Sequence, residues 1–304
     1  MPFSGVISAM ITPFTEDGEK VHGDSLAALV EQGIADGISG FVPCGGTGEF
    51  PALSEDERRA VIEATCSQVA GRVKVVAQVG APSTRAAVAN ARHAEQSGAD
   101  AIMVATPYYE PLDLDGAFRY LEKVAESTSL PICVYNHPPA MGVTWGRESL
   151  ARIKDLIPTV EIVKDSSGDF ASLTSLLLDP IPGVDVFVGE DILVPPAFLT
   201  GKAGAIVGAA NFLTPGFAAL QRAAEAGDAA RAYEIWHGIL PLINAVISGP
   251  YNGAVKAVCG ILGLQVGPIR EPYLSLVPSE VDALKAVVEA TDPAYLSDFR
   301  KAAA

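Results

Sequence analysis

The feature that most constrains this chain is a regular alternation between short apolar runs and segments with helical spacing. The apolar runs recur eight times, and a helical pattern follows each of them. They predict strands at Val6–Phe14, Gly40–Gly45, Val73–Val79, Ala101–Thr106, Pro131–Asn136, Val160–Lys164, Val184–Gly189 and Ala205–Ala210. These runs are apolar on both faces, as buried parallel strands are, so we predict an α/β fold, a closed (β/α)8 TIM barrel.

The alternative architecture for such a pattern is a doubly wound open sheet. That fold commonly carries a G-x-G-x-x-G turn after its first strand, and this sequence has none there. The strands stop after Gly227, and three helical patterns follow. We therefore predict a barrel over residues 1–227 and a C-terminal helical extension, or appendage, over residues 228–304.

Two helix starts can be predicted from capping residues. Ser54 and Glu57 have the spacing of a capping box. Asp24 precedes a run of apolar residues at helical spacing, so we predict it as the N-cap of a helix ending near Asp36.

Composition narrows the class of protein. The chain is 49% hydrophobic and carries a net charge of −15, which predicts a globular protein without nucleic acid or an anionic membrane as a general partner. It shows no signal peptide and no apolar stretch of membrane-spanning length, so we expect a soluble, cytoplasmic protein. Four widely spaced cysteines without a C-x-x-C pair indicate reduced thiols.

Lys164 is the most informative single residue, because it ends an apolar strand. A lysine buried there without a partner favours its neutral form, and a neutral amine in a dry pocket attacks carbonyl groups. The alternative is that its side chain reaches solvent and pairs with Asp165 or another neighbour.

Other strand ends supply residues suited to the same chemistry. Tyr135 ends the strand before that of Lys164 and is a candidate proton shuttle, although a core tyrosine with a satisfied hydroxyl is the simpler interpretation. His137 follows and is placed where it would touch a substrate. The turn at residues 45–48, with Gly46 and Thr47, is a candidate nest for a carboxylate or phosphate. The histidines lack metal-ligand spacing, so we predict no metal and no cofactor.

Together these strand ends resemble one family. Gly-Gly-Thr-Gly-Glu after the second strand, Tyr-Asn after the fifth and Lys-Asp after the sixth are similar to the dihydrodipicolinate synthase / N-acetylneuraminate lyase superfamily over essentially the whole chain. The resemblance implies a metal-independent class I lyase in which Lys164 forms a Schiff base with a 2-oxo acid such as pyruvate. Tyr135 would shuttle protons, and the resulting iminium would stabilise an enamine.

The resemblance also implies roles for residues outside these motifs. Thr47 and the backbone from Gly46 to Thr47 would hold the carboxylate of the 2-oxo acid, and the backbone of Ile206 would contact pyruvate. The family implies a homotetramer built as a dimer of dimers, with Tyr109 reaching towards the site of a neighbouring subunit.

Two positions depart from the synthase pattern. Gly46 stands where the synthases have a threonine that relays protons, and Ala140 stands where they have an arginine that binds the carboxylate of aspartate semialdehyde. Gly189 and Asp191 resemble the hydroxyl-binding segment of the sialic acid lyases. The leading interpretation is therefore an aldolase or dehydratase acting on a 2-oxo-3-deoxy acid.

Three alternatives stay open at this point. One is 4-hydroxy-tetrahydrodipicolinate synthase, which condenses pyruvate with aspartate semialdehyde. Another is a pyruvate-binding regulatory protein with little turnover, since a fold does not guarantee a function. The third is an unrelated barrel that binds a phosphorylated sugar at strands seven and eight.

Overall fold

The computed structural model describes residues 3–300, in which eight parallel strands close into one barrel. Each strand pairs with the next in sequence, and β8 returns to pair with β1. The strands are β1 (Val6–Ala9), β2 (Gly40–Val42), β3 (Lys74–Gln78), β4 (Ala101–Val104), β5 (Ile132–Asn136), β6 (Val160–Asp165), β7 (Asp185–Val188) and β8 (Gly204–Val207). The predicted (β/α)8 barrel is confirmed.

Helices surround the barrel and continue beyond it. They are α1 (Gly23–Ala35), α2 (Glu55–Val69), α3 (Thr84–Gln96), α4 (Leu114–Ala125), α5 (Pro138–Met141), α6 (Arg147–Leu156), α7 (Phe170–Leu178), α8 (Val194–Thr200), α9 (Thr214–Glu225), α10 (Ala229–Ile247), α11 (Tyr251–Ile261) and α12 (Pro278–Ala290). The last three lie in the predicted C-terminal extension. Within residues 3–300, none of the helices has the length and apolar character needed to cross a bilayer.

The alternation of side chains along each strand divides the hydrophobic core into two layers. Ile7 and Ala9 of β1 belong to a small cluster inside the barrel, together with Met103 and Phe187. Val6, from the other face of β1, belongs to the larger cluster that includes residues of the surrounding helices. Parallel strands buried on both faces explain why the sequence shows continuous apolar runs there.

Several predicted strands extend too far at their C-terminal ends. The first ends at Ala9 rather than Phe14, although the following residues are buried. The backbone N–H of Ile11 donates to the Asn211 side chain at 3.0 Å, so a side chain replaces the next ladder hydrogen bond. Apolar residues beyond the ladder thus form the loops at the C-terminal mouth of the barrel.

The capping box of α2 is confirmed, but the predicted cap of α1 is wrong. Glu57 N–H donates to Ser54 Oγ at 3.2 Å, and Ser54 N–H donates to the Glu57 carboxylate at 2.9 Å. In α1 the N-cap is His22, whose Nδ1 accepts from Ser25 N–H at 3.2 Å. Asp24 lies within the first turn instead, where its negative charge favours the helix N-terminus.

Candidate active site

A cavity of about 620 Å³ opens at the C-terminal ends of the strands. It is lined by side chains and backbone from most strand ends and from the start of α11. Six of the eight predicted site residues line it together: Gly46, Thr47, Tyr135, His137, Lys164 and Asp191. Chain folding therefore brings residues more than a hundred positions apart into one chamber.

Lys164 lines this chamber from the end of β6. Its side chain is buried, with 6% of the residue exposed, and among residues 3–300 no carboxylate forms an ion pair with its ammonium. Asp165 is engaged elsewhere: it accepts hydrogen bonds from Asn136 Nδ2 at 2.6 Å and from Ser167 Oγ at 2.7 Å. The alternative in which Lys164 reaches solvent or pairs with Asp165 is therefore wrong.

Tyr135 and His137 form the wall beside Lys164. Tyr135 is the register partner of Lys164, and the lysine Nζ lies 4.4 Å from the centroid of the tyrosine ring. The His137 ring stacks on Tyr135 with centroids 5.5 Å apart. His137 Nδ1 lies 3.0 Å from Ser166 O, which can only accept, so Nδ1 carries the proton of that bond. Burial lowers the pKa of His137, and the positive charge of Lys164 adds to this.

The turn between Cys44 and Glu49 has an unusual backbone. Cys44 and Glu49 flank the glycine-rich segment, and each has a φ of 57°, in the left-handed region. For residues with a Cβ, such a conformation costs on the order of 1–3 kcal/mol and is kept only where the surroundings enforce it. The turn closes through hydrogen bonds from Gly48 N–H to Gly45 O at 3.1 Å and from Glu49 N–H to Gly46 O at 3.0 Å.

This closure leaves unused donors at the surface of the cavity. Among residues 3–300, the backbone N–H groups of Gly46 and Thr47 donate to no other group. Adjacent free N–H groups attract an anion. Asn252 Nδ2, on α11, donates to Gly46 O at 2.9 Å and links this helix to the turn.

A buried ion pair holds Glu49 in place. Lys256 Nζ, on α11, lies 2.6 Å from Glu49 Oε1, and both side chains are almost fully buried. The second Glu49 oxygen accepts from Arg270 N–H at 2.9 Å. Burial lowers the pKa of Lys256, opposed by the charge of Glu49. The C-terminal extension is thus bonded directly to the turn that carries Gly46 and Thr47.

Asp191 lies three residues after the end of β7, and its hydrogen bonds connect this loop to the loop after β8 and to α11. Its Oδ1 accepts from Ala209 N–H at 2.8 Å, and its Oδ2 accepts from the Tyr251 hydroxyl at 2.5 Å. Burial raises the pKa of Asp191 and also holds the pKa of Tyr251 well above its usual value, so the phenol remains the donor.

Two residues predicted for the site lie outside the cavity. Tyr109 is 84% exposed, next to Tyr108, which lines the rim. Ile206 is buried inside the barrel, where it packs in the inner cluster. Neither contributes to the lining of the chamber within one chain.

The structure adds lining residues outside the predicted set, among them Gln78, Glu190, Tyr251 and Asn252. Gln78 is the last residue of β3, so its position at a strand end is the sequence signal for it. Its Oε1 accepts from Arg58 Nη2 at 2.9 Å, which directs the amide. Tyr251 and Asn252 belong to α11, and no local pattern indicates that this helix starts at the barrel mouth.

A second cavity, of about 740 Å³, lies at the opposite end of the barrel near the starts of β7 and β8. Lys202, the lysine in its lining, is exposed. The described residues that line this cavity include no buried lysine. No cluster of three or more potential metal ligands occurs within residues 3–300.

The chain is similar to characterised proteins over nearly its whole length. The model of the dihydrodipicolinate synthetase family matches residues 2–291. A 4-hydroxy-tetrahydrodipicolinate synthase of Thermomicrobium roseum is 35% identical, with 93% of each chain covered. The structure of a dihydrodipicolinate synthase from Acinetobacter baumannii complexed with pyruvate has a TM-score of 0.89 at 30% identity, covering 94% of this chain and 98% of that one. YagE, a prophage protein from E. coli K12 in complex with pyruvate, has a TM-score of 0.89 at 28% identity, with 94% and 98% covered.

Proposed function

Because this chain belongs to the dihydrodipicolinate synthetase family, we propose that it is a lyase whose Lys164 forms a Schiff base with a 2-oxo acid. The observation that carries the proposal is the position of Lys164, buried at the barrel mouth without an ion-pair partner among the described residues. The amine of Lys164 faces the same cavity as the free backbone donors of Gly46 and Thr47, where it can attack the ketone of a bound 2-oxo acid.

The reaction begins with attack of the Lys164 amine on the ketone carbon. The carbinolamine then loses water to give an iminium, and Tyr135 carries protons between nitrogen and oxygen. The N–H groups of Gly46 and Thr47 bind the carboxylate of the 2-oxo acid. The iminium accepts the electron pair released at C3. The reaction therefore needs no metal ion to stabilise that charge.

Pyruvate is the proposed common fragment of the substrates. Two solved relatives, from A. baumannii and E. coli K12, are complexes with pyruvate. The free backbone donors of the turn are placed in the same chamber as Lys164, which suits a carboxylate next to a ketone.

The distal part of the chamber favours a neutral, hydroxylated co-substrate. Ala140 lines it where the synthases have an arginine, and its described lining residues include no arginine. Glu190 and Asp191 line it as well. A second carboxylate on the substrate would lack a bidentate partner and face like charges. A 2-oxo-3-deoxy acid with hydroxyl groups at this end avoids both costs.

A second candidate function is 4-hydroxy-tetrahydrodipicolinate synthase. Its support is the whole-chain similarity to proteins of that name, such as the one from T. roseum. The identity of 35% leaves room for either substrate choice, so the co-substrate must be tested directly.

The test compares two reactions with one enzyme preparation. We expect release of pyruvate from 2-keto-3-deoxygluconate, measured with a coupled dehydrogenase, and little condensation of pyruvate with aspartate semialdehyde. Faster condensation than cleavage would establish the synthase instead. A borohydride-trapped pyruvate adduct without turnover in either reaction would indicate a pyruvate-binding regulatory protein.

We also propose a homotetramer in which Tyr109 completes the site of a neighbouring subunit. The exposure of Tyr109 beside the rim residue Tyr108 supports this. Sedimentation of the protein gives the assembly state. Tyr109→Phe should slow turnover without altering assembly, and an unchanged rate would remove Tyr109 from the mechanism.

A further inference from the structure

Two consecutive carboxylates follow β7 and line the same cavity, but their hydrogen bonding differs. Both oxygens of Asp191 are engaged, one by Ala209 N–H and the other by the Tyr251 hydroxyl. Asp191 is 4% exposed. Asp191 links the loop after β7 to the loop after β8 and to α11. These hydrogen bonds already engage both of its carboxylate oxygens.

Glu190 is the carboxylate that stays available. It is half-buried in the wall of the cavity, and among residues 3–300 its side chain accepts no hydrogen bond and forms no ion pair. A carboxylate that is partly removed from water and unpaired is costly unless a ligand supplies a donor. A hydroxyl group of a substrate is such a donor.

The backbone before Glu190 is fixed against Lys164. Gly189 N–H donates to Asp165 O at 2.7 Å. A Cβ placed on Gly189 would lie 2.9 Å from Lys164 Cε and would overlap Ser166 Oγ, so only glycine allows this approach. Glu190 therefore directly follows a residue whose backbone packs against the Lys164 side chain.

We propose that Glu190, rather than Asp191, takes the proton from the C4 hydroxyl of the bound substrate during aldol cleavage. The inference rests on the proposed function, in which the substrate is a 2-oxo acid joined to Lys164 as an iminium. As the hydroxyl proton moves to Glu190, the electron pair of the substrate O–H bond forms the C4 carbonyl. The C3–C4 bond breaks, its electrons form the C2–C3 enamine, and the iminium nitrogen becomes neutral. In condensation the same proton returns to the new alkoxide.

The electrostatic surroundings of Glu190 suit a general base. Its pKa is raised to about 7, chiefly by burial and then by the charges of Asp191 and of Asp165 on β6, while the charge of Lys164 opposes the rise. Tyr251 faces it from α11, and Glu190 contributes to the raised pKa of that phenol. A general base is most effective when its pKa lies near the working pH. Cleavage requires the ionised form, so its rate should rise with pH through about 7.

The test measures cleavage of 2-keto-3-deoxygluconate and of 4-hydroxy-2-oxopentanoate as a function of pH. Glu190→Gln removes the base while keeping the size of the side chain, so we expect kcat/KM to fall by ~10²–10⁴ and its rise with pH to disappear. Glu190→Asp should recover part of the rate and the pH dependence. Glu161→Gln is the matched control, because Glu161 is exposed on β6, and it should behave as the wild type.

A separate readout distinguishes failure of this inference from failure of the proposed function. Glu190→Gln should still form a borohydride-trapped pyruvate adduct on Lys164, because that step does not involve a C4 hydroxyl. If the wild type cleaves either substrate and Glu190→Gln keeps its rate and pH profile, Glu190 is not the base. If the wild type traps no pyruvate, or traps it but cleaves neither substrate, the proposed cleavage function fails and this inference falls with it.

Discussion

The ammonium of Lys164 lies over the ring of Tyr135, with Nζ 4.4 Å from the ring centroid. The contact follows from the pairing of β5 with β6, in which these two residues are direct register partners. A cation over an aromatic face contributes about 0.5–2 kcal/mol, depending on its solvation. The contact positions Nζ in the chamber, where among residues 3–300 no carboxylate forms an ion pair with it.

Removal of the Tyr135 hydroxyl separates proton transfer by this residue from the packing of its ring against Lys164 and His137. Tyr135→Phe keeps the ring over Lys164 and the stack on His137, so the protein should fold as before. We expect turnover to fall by ~10²–10⁴, because a proton carrier is lost. Steady-state rates of pyruvate release measure this. Tyr108→Phe, at the rim of the same cavity, is the control, and equal rates for both variants would remove Tyr135 from the chemistry.

Loss of the buried partner of Glu49 should destabilise the protein and weaken pyruvate binding. Lys256→Met leaves the Glu49 carboxylate buried without its cation, which costs about 3–5 kcal/mol. The left-handed conformation of Glu49 then loses a support, so the neighbouring turn should bind a carboxylate less well. Denaturant unfolding and the pyruvate concentration required for trapping measure the two effects.

The matched control for that change is the double variant Lys256→Met, Glu49→Gln. Because it removes the unpaired charge, it should recover part of the lost stability. A single variant as stable as the wild type would show that the pair does not support the turn.

The missing arginine predicts a change of substrate. Ala140→Arg places a guanidinium at the rim of the chamber, where it should bind the carboxylate of aspartate semialdehyde. We expect kcat/KM for condensation to rise while pyruvate trapping on Lys164 is unchanged. Ala140→Gln is the uncharged control. An equal gain from both variants would mean that charge at this position does not set the choice of co-substrate.

The cysteines should be inert in the folded protein. Burial raises the pKa of Cys44 and of Cys133 to about 12, raises that of Cys66 to about 11, and also raises that of Cys259. Alkylation requires the thiolate, so iodoacetamide at pH 8 should label none of them quickly before unfolding and all of them afterwards. Rapid labelling of native Cys133 would contradict the packing of the barrel interior.

The repeated pattern of the sequence was sufficient for the barrel and for the position of Lys164. Parallel strands buried on both faces leave a strong local signal, and the register of neighbouring strands places Tyr135 beside Lys164. The predicted ends of the strands were less accurate. Buried residues such as Ile11 continue the apolar run, although the Ile11 N–H donates to the distant side chain of Asn211 instead of to a neighbouring strand.

Contacts between distant parts of the chain were not predictable from local patterns. Lys256 and Glu49 are 207 positions apart, and nothing near either residue indicates the other. The sequence also pointed to Asp191 for substrate hydroxyl groups. Only the structure distinguishes it from Glu190, because hydrogen bonds from Tyr251 and Ala209 occupy its oxygens.

The central claim is that Lys164 is the Schiff-base residue, and one measurement tests it most directly. The protein is incubated with pyruvate, reduced with borohydride, and analysed by intact mass and peptide mapping, with Lys164→Arg and the exposed-site control Lys202→Arg alongside. The account predicts one reduced pyruvate adduct per chain on Lys164, present in the wild type and in Lys202→Arg and absent in Lys164→Arg. An active enzyme that gives no adduct, or an adduct on another lysine, would contradict it.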